Sequence, residues 1–110
     1  MDLVGAQDDS MAMGARKAFG EIAESERAQW IKIPITGCDG MSKTGQAWVR
    51  NGTLAATIFI RPNTDLAIEM LVEAFKSGAP LPENRVTEPE SVPALAELAK
   101  AGKMGKGAGV

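Results

Sequence analysis

Apolar positions along the chain switch between two periods, and the switches mark its elements. Residues 3–6 are a short apolar run that predicts a buried strand. Asp9 and Ser10 then offer the side-chain oxygens that cap a helix. Met11, Ala15, Ala18, Phe19 and Ile22 follow at spacings of three and four, the stripe of an amphipathic helix. After a charged stretch at 24–27, Trp30 leads into Ile31, Ile33 and Ile35, which alternate with Lys32, Pro34 and Thr36 before Gly37. This predicts a second strand over 31–36, at an edge or an irregular end, because Pro34 has no amide proton for a ladder. Ser42 is placed to cap a second helix through Ala47, Trp48 and Val49, which Gly45 weakens and Asn51-Gly52 stops. Residues 54–60 are almost continuously apolar and β-branched, the pattern of a near-central strand covered by helices on both faces.

The most regular helical pattern comes next. Pro62 and Asn63 open it, Leu66, Ala67, Met70, Leu71, Ala74 and Phe75 repeat at helical period, and Gly78 and Pro80 close it. From 80 to 93 four prolines break regular structure, and Ser91 is placed to cap a short helix over Leu95 and Leu98. Residues 101–110 are rich in Gly and Lys and are expected to form a flexible tail. The order strand, helix, strand, helix, strand, helix implies an α/β fold. The expected form is a three-layer βαβαβα unit with a small parallel sheet and right-handed crossovers. Three parallel strands make a narrow sheet, so an unpaired edge and uncovered apolar surface are expected, with self-association or a missing partner segment as the consequence.

Composition narrows the chemistry. A chain of 110 residues makes about one small domain. Lys and Arg number 12 against 14 Asp and Glu, a net charge of −2 without the basic patch that draws in nucleic-acid phosphates. There is no His, which removes the commonest general base at neutral pH and the commonest metal ligand. The lone Cys38 can neither close an internal disulfide nor build a thiolate metal site. The first residues lack the positive and apolar regions of a secretory signal, and no run approaches the ~18 apolar residues of a membrane span. Neither a GxGxxG nor a GxxxxGK[ST] phosphate cradle is present. No catalytic residue, cofactor or metal is assigned, and the chain is not expected to be an enzyme.

In open parallel sheets ligands bind beyond the carboxyl ends of the strands, where loops and helix N-termini converge. The residues there are Gln7, Asp8 and Asp9, then Cys38, Asp39 and Gly40, then Ile60, Arg61, Pro62 and Asn63. Two carboxylates and a guanidinium on one edge suit the hydroxyls of a sugar or polyol. The candidate ligand-binding residues are therefore Asp8, Asp39 and Arg61. Each has a plainer reading: Asp9 beside Ser10 as a helix cap, Asp39 before Gly40 as a turn residue, Arg61 as a solvated loop charge, Cys38 as filler, and the Met and Trp residues as core.

Three segments carry a family resemblance. Gln7-Asp8-Asp9-Ser10-Met11-Ala12-Met13-Gly14-Ala15 resembles the "QND-x-MA-x-GA" of ribose-type periplasmic solute-binding proteins of ABC transporters. Thr36-Gly37-Cys38-Asp39-Gly40 resembles their "x-G-x-DG", and Val49-Arg50-Asn51-Gly52-Thr53-Leu54-Ala55-Ala56-Thr57-Ile58 their "V-x-x-G-x-L-x-ATI". The resemblance spans residues 3–95. In that family two Rossmann-like lobes close over a small solute, usually a sugar, and present it to a membrane permease in the periplasm. The resemblance implies that residues 1–100 are part of a C-terminal lobe. It places the family's ligand-binding Asp on Asp39 and the Asn of its "QND" on Asp8, an amide changed to a carboxylate. The family's Gln near the end of the last core strand falls on Ile60. Arg61 follows at the next position, where it replaces that contact or offsets the acidic pair. Two alternatives remain open: the effector-sensing lobe of a lactose-repressor-type regulator, and a structural or self-associating domain without ligand.

Overall fold

A computed structural model describes residues 1–105 of the backbone, with side chains described for residues 1–100. The chain runs β1 (Val4–Gly5), α1 (Asp9–Glu21), α2 (Glu24–Trp30), β2 (Ile35–Asp39), α3 (Gly45–Arg50), β3 (Ala56–Phe59), α4 (Asn63–Ser77), β4 (Glu90–Val92) and α5 (Leu95–Gly105). It is a mixed α/β structure with an open four-stranded sheet in the order β1-β2-β3-β4. β1, β2 and β3 are parallel, and β4 pairs antiparallel with β3, Thr57 opposite Val92 and Phe59 opposite Glu90. The all-parallel three-stranded sheet expected from the sequence is thus corrected by one short antiparallel edge strand. It lies in the proline-rich stretch, where a three-residue strand leaves no legible period. Ser91, expected to cap the last helix, lies within β4, and its hydroxyl donates to the Pro93 carbonyl. Of the tail expected at 101–110, residues 101–105 continue α5 and the rest lie outside the described residues.

The second strand begins at Ile35 rather than at 31. Residues 24–30 form α2 instead, and a turn follows in which the Ile33 amide donates to the Trp30 carbonyl. Pro34 marks the changeover and the strand starts behind it. Ile31 is correspondingly exposed.

The stripe of α1 is also out of phase with the expectation. Ala12 is fully buried, Met13, Ala15 and Phe19 are half-buried, and Met11 is 53% exposed. The inward face runs Asp9, Ala12, Arg16, Phe19, so charged residues occupy positions that apolar periodicity assigns to solvent. The cap is Asp8, not Asp9 or Ser10: Asp8 has extended backbone, and its Oδ1 accepts from the Met11 amide at 2.7 Å. α3 begins at Gly45 behind Thr44, without the expected side-chain cap from Ser42.

The core lies between α1, α3 and one face of the sheet. It is built on Ala12, Ile35 and Leu54, with Val4, Ala6, Phe19, Trp48 and Val49 packed around them. Two polar ties from α1, the first of them buried, clamp the sheet at its two ends. At one end, Asp9 meets Gly40 and Thr57. At the other, the Arg16 guanidinium donates to the carbonyls of Thr53, Ile31 and Ile33, just ahead of β3 and β2. Seven residues on one helix face separate the two ties by about 10 Å, a span that matches the strands beneath.

The other face of the sheet is not covered as the run over 54–60 predicts. β3 is limited to Ala56–Phe59, and Ile58 and Ile60 are exposed. α4 forms over the expected residues and stops at Gly78, whose φ of 67° gives the left-handed exit that glycine tolerates best. Of its apolar residues only Leu66 is buried. The radius of gyration is 19.2 Å, against about 13 Å for a compact domain near this length.

Candidate functional site

Because β1, β2 and β3 are parallel, their carboxyl ends share one rim, and the three loops that leave it carry the residues singled out by the sequence. Backbone and side-chain bonds draw these loops together. The Gly40 amide donates to Asp9 Oδ2 at 2.9 Å, joining the loop after β2 to the start of α1. The Ile60 amide donates to the Asp39 carbonyl at 3.2 Å, joining the same loop to the end of β3. Asp8, Asp39 and Arg61 are therefore each one residue from, or part of, a bond that links the loops.

Their side chains differ in availability. Asp39 is exposed, and no described residue donates to its carboxylate. Its φ is 92°, a positive value that a residue with a side chain seldom adopts and that surrounding structure must hold in place. Gly40 follows at φ 59°, where a Cβ would stand 2.5 Å from Phe59 Cα, so only glycine completes this turn. The Gly40 carbonyl in turn accepts from Gln46 Nε2 at 2.8 Å.

Asp8 is half-buried and uses Oδ1 to cap α1, which leaves Oδ2 for other contacts. Arg61 is directed to α4: its Nη2 lies 2.8 Å from Asp65 Oδ2, both side chains being about half exposed. The hydrogen bond from Arg61 holds the Asp65 carboxyl below the usual carboxylate range, helped by the Leu66 amide, and Asp65 raises the Arg61 guanidinium in return. The structure thus gathers the three candidates at one rim and turns one of them toward a neighbouring helix.

Sequence reading missed the residue on which the rim is built. Asp9 is 4% exposed. Its Oδ1 accepts from the Thr57 hydroxyl at 2.6 Å and its Oδ2 from Gly40. Gly37 and Gly45 flank it, and a Cβ at either position would overlap the carboxylate oxygens. Those two glycines were the available signal: one inside a strand, one at a helix start, neither explained by a turn. Four concavities of the described surface lie elsewhere, three of 140–270 Å³ along α4 and the segment 79–85 and one of 170 Å³ beside Trp30. None of the four is lined by Asp8, Asp39 or Arg61. Among the described residues no cluster of His, Cys, Asp and Glu can hold a metal ion, and no helix is long and apolar enough to cross a membrane.

Compared with family models, with curated proteins and with solved structures, the chain matches none.

Proposed function

We propose that the chain binds a small solute of the sugar or polyol class at the rim of β1, β2 and β3, as part of the C-terminal lobe of a ribose-type solute-binding protein of an ABC transporter. The observation that carries the reading is Asp39. It presents an uncommitted, exposed carboxylate on a positive-φ turn at the carboxyl end of a parallel strand, the place where open α/β sheets take ligands. A carboxylate there accepts hydrogen bonds from two neighbouring hydroxyls, and the free Oδ2 of Asp8 extends the acceptor edge. Arg61 joins the contact only by leaving Asp65.

An exposed Asp39 at the carboxyl end of a parallel strand fits a receptor in which a second lobe supplies the opposite wall. The uncovered sheet face at Ile58 and the apolar face of α4 fit the further layer that a three-layer, Rossmann-like lobe requires. On this reading the whole protein works in the periplasm and presents its closed, loaded form to a permease.

Affinity in a two-lobed receptor comes from enclosing the ligand, so the 110-residue chain alone should bind weakly, with a Kd of roughly millimolar. Saturation-transfer NMR with D-ribose, D-glucose and ribitol tests this. The expected result is a weak, saturable signal from at least one of them that disappears in Asp39→Ala while circular dichroism is unchanged. Absence of signal from pentoses, hexoses and polyols alike, or a signal that survives Asp39→Ala, overturns the reading.

A further inference from the structure

The geometry points to Asp9 as a positioning residue that sets the backbone of Asp39 and so aims its carboxylate at the solute; the role in solute binding rests on the function proposed above. The peptide plane between Asp39 and Gly40 is clamped at both of its polar atoms. Its carbonyl oxygen accepts from the Ile60 amide at 3.2 Å. Its N–H donates to Asp9 Oδ2 at 2.9 Å, inside the protein. The orientation of that plane is the ψ of Asp39, so whatever fixes the plane fixes where the Asp39 side chain departs.

Burial makes the clamp strong. A carboxylate out of water is costly unless donors satisfy it, and Asp9, at 4% exposure, has one backbone donor in Gly40 and one hydroxyl donor in Thr57. Thr57 holds Oδ1, which leaves Oδ2 pointed at Gly40. Gly37 and Gly45 leave room for this carboxylate where any side chain would overlap it. A core position of this size could be filled by an apolar side chain at no polar cost, but no apolar side chain would hold the Gly40 N–H. Without that acceptor the buried amide has no partner, and the plane is free to turn until it finds one.

The test is NMR on the full 110-residue chain, comparing wild type with Asp9→Ala, Thr57→Val and Thr57→Ser. Two readouts need no ligand: hydrogen exchange of the Gly40 amide, and the three-bond coupling between Asp39 Hα and the Gly40 nitrogen, which reports ψ. In Asp9→Ala the Gly40 amide should exchange at least about tenfold faster relative to the β2–β3 ladder amides, since it loses a bond to a charged acceptor. The Asp39 coupling should move from its wild-type value. Thr57→Val should give a smaller change in the same direction, and Thr57→Ser should restore the wild-type values. If Asp9→Ala does not fold, the Thr57 pair decides.

Gly40 exchange that changes only in step with the ladder, or an Asp39 coupling that stays put in the folded variants, overturns the assignment and leaves Asp9 a structural residue. Adding D-ribose, D-glucose and ribitol to the same samples separates the two proposals. No signal with wild type defeats the solute reading, while exchange and coupling still decide whether Asp9 sets Asp39. A signal with wild type that Asp9→Ala keeps in full overturns the positioning role.

Discussion

α1 and α4 are amphipathic helices of 13 and 15 residues, and their surroundings are opposite. α1 contains two glycines and turns two charged residues inward, features that weaken a helix on its own, yet its Ala12 is fully buried and its Asp9 and Arg16 tie it to the sheet. α4 has regular periodicity and a glycine stop, yet Ile68, Leu71, Val72 and Phe75 are 43–88% exposed. An apolar stripe therefore records a demand for a partner, not that the partner is within the same fold. Helix stability in proteins comes mostly from packing an amphipathic face, so α4 is the element whose environment is least complete.

The largest effect that distinguishes the two regions comes from truncating one apolar residue in each. Ile35 is fully buried between α1 and the sheet. Ile35→Ala should lower the stability of the chain by about 2–5 kcal/mol, read as a fall in the urea midpoint. Phe75, although larger, should give a change within about 0.5 kcal/mol on Phe75→Ala. A Phe75→Ala loss comparable to that of Ile35→Ala, and dependent on protein concentration, would show that copies of the chain cover α4 in solution and would erase the contrast.

A pair of glycines sharpens the comparison within the packed region. Gly14 lies in the interior of α1 with open space around its missing side chain, and Gly45 stands against the Asp9 carboxylate. Gly14→Ala should stabilise the chain by about 0.5–1 kcal/mol through helix propensity. Gly45→Ala should destabilise it by about 1–3 kcal/mol through overpacking. Thermal melts of the two variants should move in opposite directions. Equal shifts would mean that the carboxylate has room to move and that the rim is softer than its hydrogen bonds indicate.

The order of alternating elements was legible because each changes the hydrophobic period. What escaped was where polarity and burial part company. Asp9 reads as a helix cap and the apolar stripe of α1 runs through Met11, yet Met11 is 53% exposed while Ala12 and Asp9 are buried. The alternation at Ile31, Ile33 and Ile35 imitated a strand, although Pro34 and the turn bonded from Trp30 start it at Ile35. β4 has three residues, too few for any period. Asp8 and Asp39 were placed at the rim by topology alone, since parallel strands send their carboxyl ends to one side. Which carboxylate is buried and which is presented depends on hydrogen bonds from Gly40 and Thr57, 31 and 48 residues away in sequence from Asp9.

The smallest effect concerns Arg61, the residue at the boundary between the two regions. Its pairing with Asp65 depresses the Asp65 carboxyl below the usual carboxylate range. A carboxyl depressed in the folded state contributes stability above its unfolded pKa and loses it as pH falls through the folded value. With both groups about half exposed at 53% and 52%, the contribution is small and screened by salt. A side-chain carboxyl NMR titration should therefore place the Asp65 midpoint below that of an ordinary aspartate in wild type and return it toward the usual range in Arg61→Ala, with the shift reduced at high salt. If Arg61→Ala leaves the midpoint where it was, the pair does not form in solution. Arg61 then belongs to the rim with Asp39 rather than to α4, and its guanidinium becomes a third polar group facing the proposed solute.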